Sequence, residues 1–184
     1  MLTMKTNKKD PDGQLFKLFV PPGAAGASKV YFDLWNGSDK TIEVGGVVPI
    51  ASGAAAVVGT LAVDLYLTRT TAIGTGGTAA TRESATLTEM IFSRMDTDGP
   101  LLPAGITGRL APGGGATAGA VIGFNSIFTE ETSIATYLRN NMLEGAQPGI
   151  NGRFKIRPNS GIRVIQGSVA SVGNIGFDIV FQVL

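Results

Sequence analysis

The sequence contains neither cysteine nor histidine. Without Cys there can be no disulfide framework, no thiolate metal site and no thiol nucleophile. Without His the chain lacks the commonest general base, the commonest metal ligand and every Ser-His or Cys-His pairing. An enzyme built on this sequence would have to work with carboxylates or Lys. Charge is also scarce: Asp, Glu, Lys and Arg make up 16% of the 184 residues and sum to +1, against ~25% charged residues in a typical domain. That balance gives no reason to expect a polyanionic partner. No apolar run approaches the ~18 residues of a membrane span, and the opening MLTMKTNKKDPDG lacks the apolar core of a secretory signal. The expectation is a chain made in the cytoplasm, with no export signal and no membrane partner.

Glycine is abundant instead, at 26 residues, about twice the usual ~7%. Few charges and many small residues suit either a surface hidden in an assembly or a β protein with Gly in its turns. The clearest pattern lies in residues 161–184, GIRVIQGSVASVGNIGFDIVFQVL, where Ile175, Phe177, Ile179, Phe181 and Val183 fall on alternate positions. A period of two is what a strand with one buried face produces. The segment is predicted to be a β-hairpin whose last strand lies in the core. In residues 29–35, Val30, Phe32 and Leu34 share one face while Lys29, Tyr31, Asp33 and Trp35 share the other. In residues 61–70, Leu61, Val63, Leu65 and Leu67 point one way, with Asp64, Tyr66 and Thr68 opposite. Asn36-Gly37 is a turn dipeptide that tolerates positive φ, which predicts a hairpin between residues 29–35 and 40–48.

Further strands are expected at 14–20, ended by Pro21-Pro22, at 87–94 and at 120–128, with 101–110 extended. Residues 74–84, GTGGTAATRES, read as a long flexible loop. No GK[ST] follows them, so a phosphate-cradling role fails. After Thr129, Ile134, Tyr137, Leu138 and Met142 recur at helical spacing and predict one or two turns of helix. Together these segments predict an all-β chain: an antiparallel β-sandwich, jelly-roll-like, with long Gly-rich loops and at most one short helix. Residues 1–12 are expected to be a flexible N-terminal arm, and residues 13–184 a single sandwich domain.

The chemistry-bearing residues form no constellation. Asp10-Pro11-Asp12-Gly13 and Asp96-Thr97-Asp98-Gly99 have a spacing that can chelate Ca²⁺ but lack the closing Glu, and read as Asp-rich turns. Nothing places two carboxylates at the roughly 5–9 Å that glycoside hydrolysis needs. No catalytic, metal or cofactor-binding residue is assigned, and no cofactor is expected. Lys5, Lys8 and Lys9 sit beside Asp10 and Asp12, which favours a solvated arm over a nucleic-acid contact. Arg153, Lys155, Arg157 and Arg163 would form a modest basic patch if they shared a face. Outward aromatics at Tyr31, Trp35 and Tyr66 suit a contact surface. So does the apolar tip at Val169, Ala170 and Val172, where polar residues are the rule.

Three stretches, LAVDLYLTRTTAIGTGGTAATRE at 61–83, AGAVIGFNSIFTEETSIATYL at 118–138 and GSVASVGNIGF at 167–177, resemble small structural proteins of tailed-phage virions. The likeness extends from about Ser28 onward and consists of Gly/Thr/Ala loops between short strands. In size and architecture it is nearest to the capsid decoration, or cement, proteins, several of which are β-sandwich or jelly-roll trimers. The resemblance implies a non-enzymatic virion protein that forms a homotrimer and binds the major capsid protein on the outer face of the head. Lys5, Lys8, Lys9, Tyr31, Trp35, Tyr66, Val169 and Val172 are the contact residues expected on that basis. The alternative is a tail, fibre-base or head-fibre protein of the same fold, with a carbohydrate-binding role. A carboxylate-based hydrolase is a third reading, against which the missing His argues.

Overall fold

The computed structural model describes residues 14–52, 61–114, 118–129, 141–143, 154–171 and 173–184. The strands are β1 (Gln14–Ala24), β2 (Val30–Asn36), β3 (Ile42–Ser52), β4 (Leu61–Thr70), β5 (Thr78–Ala79), β6 (Thr81–Arg82), β7 (Ile91–Arg94), β8 (Ile106–Leu110), β9 (Ala118–Thr129), β10 (Phe154–Ile156), β11 (Ser160–Gln166) and β12 (Asn174–Val183). They form two sheets, the first in the order β10-β3-β12-β1-β7-β6 and the second β5-β8-β2-β11-β4-β9. Every pairing is antiparallel except that of β6 with β7. The sheets pack face to face as a β-sandwich, and among the described residues there is no helix.

The chain alternates between layers. β1 lies in the first sheet, β2 in the second, β3 in the first and β4 in the second; β11 returns in the second sheet and β12 in the first. The layers β10-β3-β12-β1 and β2-β11-β4-β9 are wound as in a jelly roll. The alternating residues fill the space between them. Phe16, Leu18, Phe32, Leu34, Val44, Leu65, Leu67, Val164, Phe177, Ile179 and Phe181 are all buried. Ring pairs cross the layers: Phe177 of β12 lies 5.4 Å from Phe32 and 5.4 Å from Tyr31, both of β2.

Both expected hairpins are instead arches between sheets. β2 and β3 do not pair, and neither do β11 and β12. Alternation identifies which face of a strand is buried but not which strand lies beside it. A turn at Asn36-Gly37 serves an arch as well as a hairpin. Here the Asn36 side chain holds that corner, accepting from the Ser38 amide (3.2 Å) and hydroxyl (2.6 Å) and donating to the Lys40 (2.8 Å) and Ile156 (3.1 Å) carbonyls.

Smaller departures have equally local causes. β1 runs on through Pro21-Pro22 because its register with β12 shifts between Val20 and Gly23, and a bulge requires no ladder N–H from proline. Residues 74–84 are not a plain loop. They carry β5 on the second sheet and β6 on the first, and so tie the layers together at one side. Gly77 permits this with φ +64°, where a Cβ would sit 2.1 Å from the Leu110 carbonyl oxygen. Of the segments expected at 87–94 and 101–110, only Ile91–Arg94 and Ile106–Leu110 are strand. The expected arm and most of the expected helix lie outside the described residues, and Thr129 ends β9.

Candidate functional site

Among the described residues the two buried charged side chains are bonded to one another. Asp33 on β2 and Arg163 on β11 are direct cross-strand neighbours on the outer side of the second sheet. Arg163 grips the carboxylate bidentately, Nε to Oδ1 at 2.8 Å and a terminal nitrogen to Oδ2 at 2.8 Å. The Gly74 amide donates to the same Oδ2 at 2.7 Å. The loop after β4 thus folds over the pair and buries it, leaving Asp33 0% and Arg163 4% exposed. Arg163 is therefore unavailable to any surface basic patch with Lys155 and Arg157. A buried charge demands a buried partner.

Tyr31 is a second correction. Alternation put it on the outer face beside Trp35, but it is buried. The register of β11 on β2 shifts between Val164 and Ile165, which pair with Phe32 and Val30, leaving Tyr31 as the extra residue of a bulge. A bulge turns two consecutive side chains toward one side, and Tyr31 joins Phe32 against Phe177. Its hydroxyl donates to Gln166 Oε1 at 2.6 Å. The same oxygen accepts from the Gly26 amide at 2.9 Å, and Gln166 Nε2 donates to the Val169 carbonyl at 3.0 Å. One glutamine thereby pins the loop after β1 and the tip that carries Val169.

Burial pushes the Tyr31 phenol above its ordinary value. Folding therefore holds a proton that the unfolded phenol releases near pH 10. The resulting stabilisation is fully present below about pH 10 and is lost as pH rises beyond it. Lys29, whose Nζ lies 5.1 Å from the Tyr31 ring centre, is shifted down by burial and works in the opposite sense. Comparison with Tyr31→Phe separates the two. The variant is expected to be less stable by about 1 kcal/mol near neutrality and to lose stability less steeply above pH 10. Urea titrations at neutral and alkaline pH check both, and parallel curves would contradict the assignment.

Several other acids are also engaged. Asp178 pairs with Lys17 at 2.8 Å, Glu83 with Arg94 at 3.4 Å and Glu43 with Lys155 at 3.6 Å, while Glu89 accepts from the Thr81 and Ser84 hydroxyls at 3.1 and 3.0 Å. Among the described residues no three acidic side chains are grouped to hold a metal. A cleft of about 420 Å³ lies between Pro21, Pro22, Lys29, Tyr31, Leu87 and Leu110, with Lys29 turned to the Ala24 carbonyl.

The outer side of the second sheet also carries one apolar row, with Asp64 and Ser126 next to it on one side. Strand register aligns Val30, Ile165, Tyr66 and Phe124 across β2, β11, β4 and β9. Tyr66 and Phe124 are in ring contact at 5.3 Å, with Phe124 53% and Val121 56% exposed. Val30, Ile165 and Tyr66 are half-buried. Next along the sheet comes the Asp33–Arg163–Thr68 row, then Trp35 with Gly161 and Thr70. Trp35 is half-buried, its indole lying against Gly161 and Gly37. Of the expected contact residues, Trp35 and Tyr66 therefore share a face, but the buried ion pair separates them. Val169 is 65% exposed at a tip whose Gly167 lies against the Tyr66 ring. Lys5, Lys8, Lys9 and Val172 lie outside the described residues. Sequence reasoning passed over Phe124, Val121 and Ile165, although Phe124 is readable as an outward position once its strand is aligned with Tyr66.

Comparison with protein-family models, with characterised proteins and with solved structures finds no match for this chain.

Proposed function

We propose that the chain is a non-enzymatic structural protein of a tailed-phage virion, a decoration protein that self-associates and binds the major capsid protein on the outer face of the head. The observation that carries this reading is the apolar row from Val30 to Phe124 on the outer side of the second sheet. It lies on the outer side of a sandwich whose buried charges, Asp33 and Arg163, already satisfy one another. Apolar side chains gathered on one face of a rigid scaffold are a contact surface, and a sandwich with little surface chemistry adds contacts rather than performing a reaction. The resemblance of the Gly/Thr/Ala loops to virion proteins supplies the particle.

The test is to locate and count the protein in purified virions by cryo-electron microscopy and quantitative mass spectrometry. A copy number comparable with that of the major capsid protein, on the head surface, is the expected result. A few copies at the tail or a vertex would overturn it in favour of the fibre-base alternative. Carbohydrate binding finds little support, since Tyr31 is buried and Trp35 is half-covered. The arm is tested separately. Removing residues 2–12 is expected to weaken binding to undecorated heads while leaving the unfolding midpoint unchanged, and equal binding would remove the arm from the interface.

A further inference from the structure

One end of the sandwich opens between its layers. The cleft of about 420 Å³ there is walled by Pro21, Pro22 and Ile175 on the first sheet and by Tyr31 and Leu110 on the second. Leu87, in the turn before β7, completes the lining. These walls are set in advance. The Tyr31 ring packs 5.4 Å from that of Phe177 and its hydroxyl is held by Gln166, while each proline fixes its own φ. The turn that carries Leu87 is closed by its own bonds, the Thr86 amide to the Ser84 hydroxyl at 3.1 Å and the Glu89 amide to the Thr86 carbonyl at 3.0 Å. It leaves Leu87 77% exposed. Lys29 is the single charged residue of the lining. Its ammonium donates to the Ala24 carbonyl and lies 5.1 Å from the Tyr31 ring centre. An ammonium has three N–H donors, and among the described residues no carboxylate is paired with this one. Partial burial without an opposing charge disfavours the cation and shifts Lys29 down.

We propose that this cleft binds a small organic acid, with its carboxylate on the Lys29 ammonium and its apolar body between Pro22, Leu87, Leu110 and the Tyr31 ring. The proposal goes beyond the decoration reading and stands or falls without it. Three features choose the ligand. The volume falls in the range of roughly 300–1,000 Å³ typical of small-molecule sites, which combine apolar walls with few polar groups. A single lysine is a point charge that matches one carboxylate, whereas a phosphate dianion calls for more positive charge than the lining holds. The strand walls are already paired, Gly23 and Ala24 with Ile175 and Asn174, and Leu110 with Phe32 and Thr78. An extended peptide therefore finds no free strand edge here to join, and a compact acid does not need one. Asn174 lines the same wall and adds a neutral amide to it. The acid supplies the opposing charge that Lys29 lacks, in surroundings where a charge-assisted hydrogen bond is stronger than in water.

The test is calorimetric titration of the full chain with octanoate, octanol, octylammonium and acetate. Octanoate is expected to bind, octanol to bind about tenfold more weakly or less, and octylammonium and acetate to give no measurable heat of binding. Lys29→Met should bring octanoate down to the level of octanol and leave octanol unchanged. Lys29 has no carboxylate partner to strand, so the variant is expected to keep its unfolding midpoint. If it fails to fold, the comparison of the four probes on the parent chain still decides the role of charge. Methyl NMR locates the site: addition of octanoate should shift Leu87, Leu110 and Ile175 and spare Val121 on the outer apolar row. Absence of octanoate binding overturns the proposal. So does equal affinity for octanoate and octanol, octanoate affinity unchanged in a folded Lys29→Met, or shifts centred on Val121.

Discussion

Arg163→Met is expected to lower the unfolding free energy by about 3–5 kcal/mol, because it strands a buried carboxylate. Asp33 is wholly inaccessible and has its two oxygens occupied by Arg163 and the Gly74 amide. Methionine keeps much of the arginine stem's volume, so the loss reflects the uncompensated charge rather than a cavity. A second substitution sharpens the result. Asp33→Leu combined with Arg163→Met removes both charges, and apolar replacement of a whole buried pair is often neutral or stabilising. Most of the loss should then be recovered, apart from about 1–3 kcal/mol for the Gly74 amide left without its acceptor. Urea unfolding of the three variants beside the parent measures this, and a double variant as unstable as Arg163→Met would show that shape and not charge governs the site. Against a typical total of about 5–15 kcal/mol, the single variant stands near the limit of folding.

Phe177→Ala is expected to cost about 3–5 kcal/mol through the cavity it leaves. Phe177 is fully buried, belongs to the first sheet, and touches Tyr31 and Phe32 of the second. Truncation removes contacts between the layers, not within one, and neighbours held in two separate ladders cannot close the space. The neighbouring Gly176 shows how tightly the backbone is packed there, since a Cβ at that position would lie 2.6 Å from the Val20 carbonyl oxygen. Phe177→Leu, which keeps more of the volume, should lose less. Equal losses for Ala and Leu would mean that the aromatic contacts, and not the filled volume, hold the layers together.

How legible each part was follows from the range over which its physics acts. Ile175 to Val183 and Val63 to Leu67 were readable because alternate apolar residues can be buried in only one way on a strand, whatever lies opposite. The same residues could not name their neighbours. That β11 pairs with β2 and β4, and β12 with β1 and β3, depends on contacts between residues 91 or more positions apart. Tyr31 was misplaced for a similar reason, because the bulge that turns it inward arises from its pairing with β11 and leaves no local mark. Asp33 and Arg163 are separated by 130 positions, and nothing near either residue announces the other.

By itself the sequence determined the all-β class, the two-layer sandwich, the absence of thiol and imidazole chemistry, and the exposure of Val169. Those follow from residue type and from a period of two, which act within a few residues. Only the tertiary structure decided that both expected hairpins are arches, that the buried charges of Asp33 and Arg163 are consumed by each other, and that Val30, Ile165, Tyr66 and Phe124 fall in one row. Register and layer are set by which strands bury their faces together, and that choice belongs to the whole chain.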